Sequence, residues 1–289
     1  MPPLSVLGHM LDVELVAPAE AGLPTVVFLH EGLGSRGLWR DFPARFRDRT
    51  GLGTLVYSRW GYGESDARAG AWPVSFMHDE AIAVLPALLR ETGVHAPPIL
   101  FGHSDGGSIA LIFASHYPAE VRAVITEAAH VIVEDRTVNS ITEAAQRFAS
   151  GDLRPRLARY HATNTDTLFA GWSGVWLRPE FRQWDLRPLL PGVRCPVLAI
   201  QGYEDEYGTM AQLDAIAGAC RGPTTLLRLD HCAHAPHAHR PDAVLDAAAG
   251  FLRRITGPSS SAPPWAGASQ SPPARSSPAP GSRSRPARD

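Results

Sequence analysis

Apolar residues along this chain gather into short unbroken runs, separated by longer stretches with helical spacing. Thr25-Val26-Val27-Phe28-Leu29-His30 is one such run, and Gly53-Thr54-Leu55-Val56-Tyr57-Ser58 repeats its character. Pro98-Ile99-Leu100-Phe101 and the segments 121–126, 196–201 and 224–229 continue the series. Runs without polar alternation predict strands covered on both faces, as inside a parallel sheet. Residues 10–17 alternate instead and predict an edge strand with one wet face. Helical patterns fall near 74–92, 106–117, 209–220 and 241–255. Strand alternating with helix predicts an α/β fold with helices on both faces of a mostly parallel sheet.

The alternation breaks between about 131 and 190, where the pattern is helical and carries Trp172, Trp176 and Trp184. A long aromatic insertion at a strand end predicts a cap over a pocket, with Trp184 packing it onto the core. This divides the chain into a first core part (1–130), the cap (131–190), a second core part (191–256) and a tail (257–289). The tail is built from Ser, Pro, Gly, Ala and Arg with Trp265 as its one aromatic. It buries too little apolar surface to offset ordering, so disorder is expected there.

Composition narrows the function classes. The chain has 289 residues, 44% of them hydrophobic, and a net charge of −2, which suits a globular core and calls for neither nucleic acid nor a membrane surface. No run suggests a signal peptide or a membrane span. Three scattered cysteines, Cys195, Cys220 and Cys232, fit reduced thiols and a cytoplasmic setting.

The chemistry centres on Gly102-His103-Ser104-Asp105-Gly106, a G-x-S-x-G pattern that follows a buried strand and opens a helix. Such a turn holds its serine in front of the sheet, and its glycines let the flanking segments approach. A serine needs a base, and the base needs an orienting acid. Asp205 lies just beyond the run 196–201, and His234 just beyond 224–229. The carboxyl ends of parallel strands share one rim, so Ser104, Asp205 and His234 are expected to converge. The glycine-bearing loop His30-Glu31-Gly32-Leu33-Gly34 ends another run at that rim. Backbone N–H groups of Gly32 and Asp105 are therefore the expected oxyanion donors.

Alternatives exist at each place. Glu127, Glu204 and Glu206 compete with Asp205 as the acid, and His237 with His234 as the base. The spacing His234-x-x-His237-x-His239 beside Cys232 matches no recognised zinc pattern, so neither metal nor cofactor is expected. His103 is expected to be a packed neighbour. His30 is expected to brace the glycine loop, and His130, Glu31, Trp172 and Trp176 to line the pocket.

These elements, together with Ser58-Arg59-Trp60-Gly61-Tyr62-Gly63-Glu64-Ser65, resemble the α/β-hydrolase superfamily, specifically its capped, cofactor-free serine hydrolases. The resemblance covers roughly 10–255. It implies an eight-stranded sheet, a helical cap after the sixth strand, and ester or related acyl chemistry on a small molecule. One departure stands out: Glu31 occupies the place of a glycine in the oxyanion loop. A carboxylate there opposes a developing oxyanion unless it turns away or pairs with Arg36 or Arg59. The same triad serves carbon–carbon bond hydrolysis, lactone opening or perhydrolysis, and the same fold can bind a ligand without turnover.

Overall fold

In the computed structural model, residues 2–256 are described; the tail 257–289 lies outside them. A hairpin of β1 (Leu4–Val6) and β2 (His9–Leu11) precedes the main sheet. That sheet holds β3 (Val13–Val16), β4 (Thr25–Leu29), β5 (Gly53–Tyr57), β6 (Ile99–His103), β7 (Ala123–Glu127), β8 (Val197–Gly202) and β9 (Thr224–Leu229). Its order is β3-β5-β4-β6-β7-β8-β9, parallel throughout except for the antiparallel edge strand β3. β5, β6, β7 and β8 are buried at every position, as unbroken apolar runs require, while β9 at the far edge mixes half-buried and exposed positions.

Seven strands form this sheet where the family resemblance implies eight. The difference arises at Asp12, between β2 and β3. Its N–H donates to Ser65 Oγ at 2.9 Å and its carboxylate takes Arg36 Nε at 2.8 Å. Its carbonyl still accepts from the Ser58 N–H at 2.9 Å, but the chain before it, β2, pairs only with β1.

Helix α1 (Phe42–Thr50) packs with α10 (Pro241–Thr256) on one face around an aromatic group of Phe28, Trp39, Phe42, Phe46 and Phe101. α2 (Phe76–Asp79) runs through a π turn into α3 (Leu85–Glu91), and these pack with α4 (Asp105–His116) on the other face. Between β7 and β8 the chain makes a helical excursion through α5 (Asp135–Ser150), α6 (Leu153–His161) and α7 (Thr165–Trp176). α8 (Met210–Ala219) and the short α9 (Pro236–His239) complete the chain up to α10. No helix among the described residues is long and apolar enough to cross a membrane.

Candidate active site

Because the strands run parallel, the residues that follow β4, β5, β6, β7, β8 and β9 meet at one rim. Ser104 sits between β6 and α4 with φ 53° and ψ −118°, a backbone conformation strained for any side-chain-bearing residue. The flanking glycines make the turn feasible. A Cβ on Gly106 would fall 1.9 Å from the Leu29 carbonyl oxygen, and one on Gly102 would fall 2.2 Å from that of Gly106.

The Ser104 hydroxyl lies 2.9 Å from His234 Nε2, and His234 Nδ1 lies 2.8 Å from Asp205 Oδ1. Asp205 is fully buried and saturated with donors. Its Oδ1 also accepts from the N–H of Tyr207 and of Gly208, and its Oδ2 accepts from Gln201 Nε2 at 2.7 Å. Burial alone would raise this carboxyl, but His234 and the backbone donors outweigh it and hold it below the usual aspartate range. His234 moves the other way. Burial disfavours its cation, yet Asp205, Glu31 and Glu206 together push it up to about 9. The backbone N–H groups of Gly32 and Asp105 make no hydrogen bond among the described residues and stay available as donors.

Residues 24–175, just over half of the chain, match the alpha/beta hydrolase fold family. The chain belongs to that family. Over 123 residues this α/β hydrolase is 29% identical to the sn-1-specific diacylglycerol lipase ABHD11 of Mus musculus. That match spans 43% of the chain and about a third of the relative's length, 36%. Among solved structures, the thermophilic esterase from Thermogutta terrifontis aligns with a TM-score of 0.66 at 20% identity, covering 88% of this chain and 98% of the esterase. The enol-lactonase from Burkholderia xenovorans LB400 aligns equally well at 22% identity, over 87% of this chain and 99% of the lactonase. At such identities the likeness establishes the fold.

The competing residues of this hydrolase have other partners. Glu127 is buried against His237, with 2.7 Å between Oε2 and Nδ1, so the second acid and the second base pair with each other. Glu204 accepts from the Cys232 N–H and Glu206 from the His234 N–H, which fixes the histidine loop by its backbone. His103 donates from Nε2 to the His234 carbonyl. Among the described residues, Glu31, His103 and His234 form the single trio of metal-ligating types with ligand atoms within 4.8 Å of one another. Both ring nitrogens of His234 and one of His103 are already engaged there.

Of the two alternatives for Glu31, pairing with an arginine is not what the structure has. Arg36 is paired with Asp12 and Glu14. Arg59 is buried, but its Nη2 donates at 2.7 Å to the Glu31 backbone carbonyl rather than to the carboxylate. His30 completes this brace: Nδ1 donates to the same carbonyl, and Nε2 accepts from the Arg59 N–H. Glu31 is left half-buried, its carboxylate bonded to nothing among the described residues.

A cavity of about 20 Å³ encloses Ser104, lined by Glu31, His130, Trp172, Trp176 and Tyr207 among others. His30 instead lines a neighbouring cleft of about 450 Å³. Trp172 stands against the oxyanion loop, where a Cβ on Gly32 would meet its Nε1 at 2.0 Å. Trp184 stacks on Phe181 at 5.5 Å, outside the cavity. Tyr207, Thr137, Ile141 and Gln201 carry no motif of their own. For Gln201 and Tyr207 the only sequence signal is nearness to Asp205, and α5 residues have none.

Proposed function

We propose that this α/β hydrolase is a serine hydrolase of small carboxylic esters, working through Ser104, His234 and Asp205. The hydrogen-bonded series Ser104 Oγ, His234 Nε2, His234 Nδ1 and Asp205 Oδ1 is the observation that carries the reading. Neutral His234 takes the serine proton as Oγ attacks the ester carbonyl. The N–H groups of Gly32 and Asp105 donate to the oxyanion, where developing charge makes such donors most effective. The imidazolium returns its proton to the leaving alcohol, and a water activated by His234 then releases the acyl group from Ser104. Asp205 keeps Nδ1 protonated, so Nε2 stays the proton acceptor. The segment 131–190 acts as a cap, with Trp172 and Trp176 facing the acyl group. The esterase and lactonase folds noted above support an acyl substrate and leave lactone opening as a variant of the same chemistry.

Fluorophosphonate labelling of wild type beside Ser104→Ala is the decisive test. Labelling and p-nitrophenyl ester turnover should both vanish in the variant, with kcat falling by about three orders of magnitude or more. Equal labelling of the two proteins would sink the proposal.

A further inference from the structure

The Ser104 cavity holds two carboxyl groups that the hydrolytic scheme leaves idle. Glu31 makes no side-chain hydrogen bond or ion pair among the described residues, although it stands beside His234. Asp105 contributes its N–H to the scheme, but its Oδ2 is buried and has no hydrogen-bond partner. Burial pushes the Asp105 carboxyl up to about 6, against the pull of Arg59, His234 and the Trp176 indole N–H and with Glu31 raising it further. Burial raises Glu31 too, with His234 opposing. Arg59 spends its Nη2 on the carbonyls of His30 and Glu31, and protonated His234 is the cation that stands beside Glu31. Trp172, Trp176 and Tyr207 line the cavity around the two carboxyls, with Trp172 turning its Nε1 edge to Gly32.

Size and surroundings restrict the occupant. The lining leaves only about 20 Å³, so an acyl group enters by displacing lining side chains, and a compact primary ammonium demands less displacement than a trimethylated one. Glu31 also borders two outer clefts of about 450 and 270 Å³. Arg40 lines both, joined by Arg45 (with Asp41 nearby) in the first and by Arg156 and Arg159 in the second. Arg45 pairs with Asp242 and Arg156 with Asp152, so the second cleft, with Arg40 and Arg159, is the more positive. A cation on the departing alcohol would meet like charge there, whereas one on the acyl group stays inside.

We propose that Glu31 is a specificity residue that binds a primary ammonium on the acyl part of the substrate, making aminoacyl esters the preferred class. The inference rests on the serine-hydrolase reading above. The glycine place in the oxyanion loop is then filled by an acid because the acid recognises substrate, and the ammonium screens it from the oxyanion.

The test uses two isosteric pairs of ethyl esters at pH 7, followed by acid release: β-alanine against butanoate, and alanine against 2-methylpropanoate. The ammonium-to-alkyl ratio of kcat/KM is compared between wild type and Glu31→Gln, which cancels the intrinsic activation of the amino esters. In at least one pair the ratio should fall about tenfold or more, as the loss of a charge-assisted contact implies. Glu31→Asp should keep part of the preference. If Glu31→Gln lacks a cooperative thermal transition, competition in wild type decides: n-propylammonium should inhibit butanoate hydrolysis at far lower concentration than propan-1-ol. Equal inhibition, or ratios unchanged in both pairs while Ser104 still labels and the alkyl esters turn over, overturns the ammonium site alone. Wild type that neither labels nor turns over any ester removes the serine-hydrolase reading, and this inference with it.

Discussion

His234 is surrounded by more negative charge than the base role proposed for it requires. Asp205 touches it, Glu31 and Glu206 lie close by, and the other rings facing it are those of His103, His130 and Tyr207. Burial holds His103 and His130 low, His130 at about 4, so both stay neutral and add no repulsion. The sign of the resulting pH dependence follows directly. A base works in its neutral form, and a value pushed up to about 9 keeps the imidazole protonated through neutral pH. For an uncharged ester, kcat/KM should therefore climb as pH rises through about 9, rather than through the usual histidine range of about 6 to 7. Glu31→Gln removes one of the carboxylates that favour the cation and should move the midpoint to lower pH. A pH-rate profile of the two proteins on p-nitrophenyl acetate checks both statements, and a shared midpoint would exclude Glu31 from the field at His234.

At the scale of elements, the site joins the helical excursion to the sheet rim. His161 at the end of α6 donates from Nε2 to the Leu33 carbonyl, and its Nδ1 accepts from the Gly63 N–H. Asn164 adds two hydrogen bonds to the carbonyls of Gly63 and Ser65. α7 then presses Trp172 onto Gly32. Trp172→Ala should open the cavity toward the oxyanion loop and lengthen the preferred acyl chain of p-nitrophenyl esters by several carbons. An unchanged chain-length optimum would show that α7 does not bound the acyl group. Much of this layer was readable in the chain. The inner strands announce themselves because burial on both faces leaves unbroken apolar runs. α1 does not, since only Phe42, Pro43 and Phe46 of its nine residues are buried and its arginines blur the period. The break at Asp12 was also invisible, because it depends on Ser65 and Arg36, brought there by the fold. The same limit applies to Glu31. Sequence supplies two arginines within reach of that loop but not the acceptors each one finds, and Arg59 finds a carbonyl. The cavity residues Thr137, Ile141 and Tyr207 come from segments whose only common property is their place above the rim.

Over the whole molecule, the proposed catalysis and folding draw on one arrangement. The parallel sheet carries an apolar layer on each face, and its rim gathers the loops that bear the site. At Ser104 the two demands diverge. The fold forces this position to φ 53° and ψ −118°, territory natural to glycine, while the proposed chemistry requires a hydroxyl there. Ser104→Gly and Ser104→Ala both lose the hydroxyl, so their difference isolates the backbone. Relief of strain, less the greater freedom of glycine in the unfolded chain, should favour the glycine variant by ~1 kcal/mol. At this chain length that corresponds to a melting temperature about 2–4 °C higher. A calorimetric scan of the two would thus weigh, in degrees, how far heat resistance has been given up so that one oxygen atom faces the substrate.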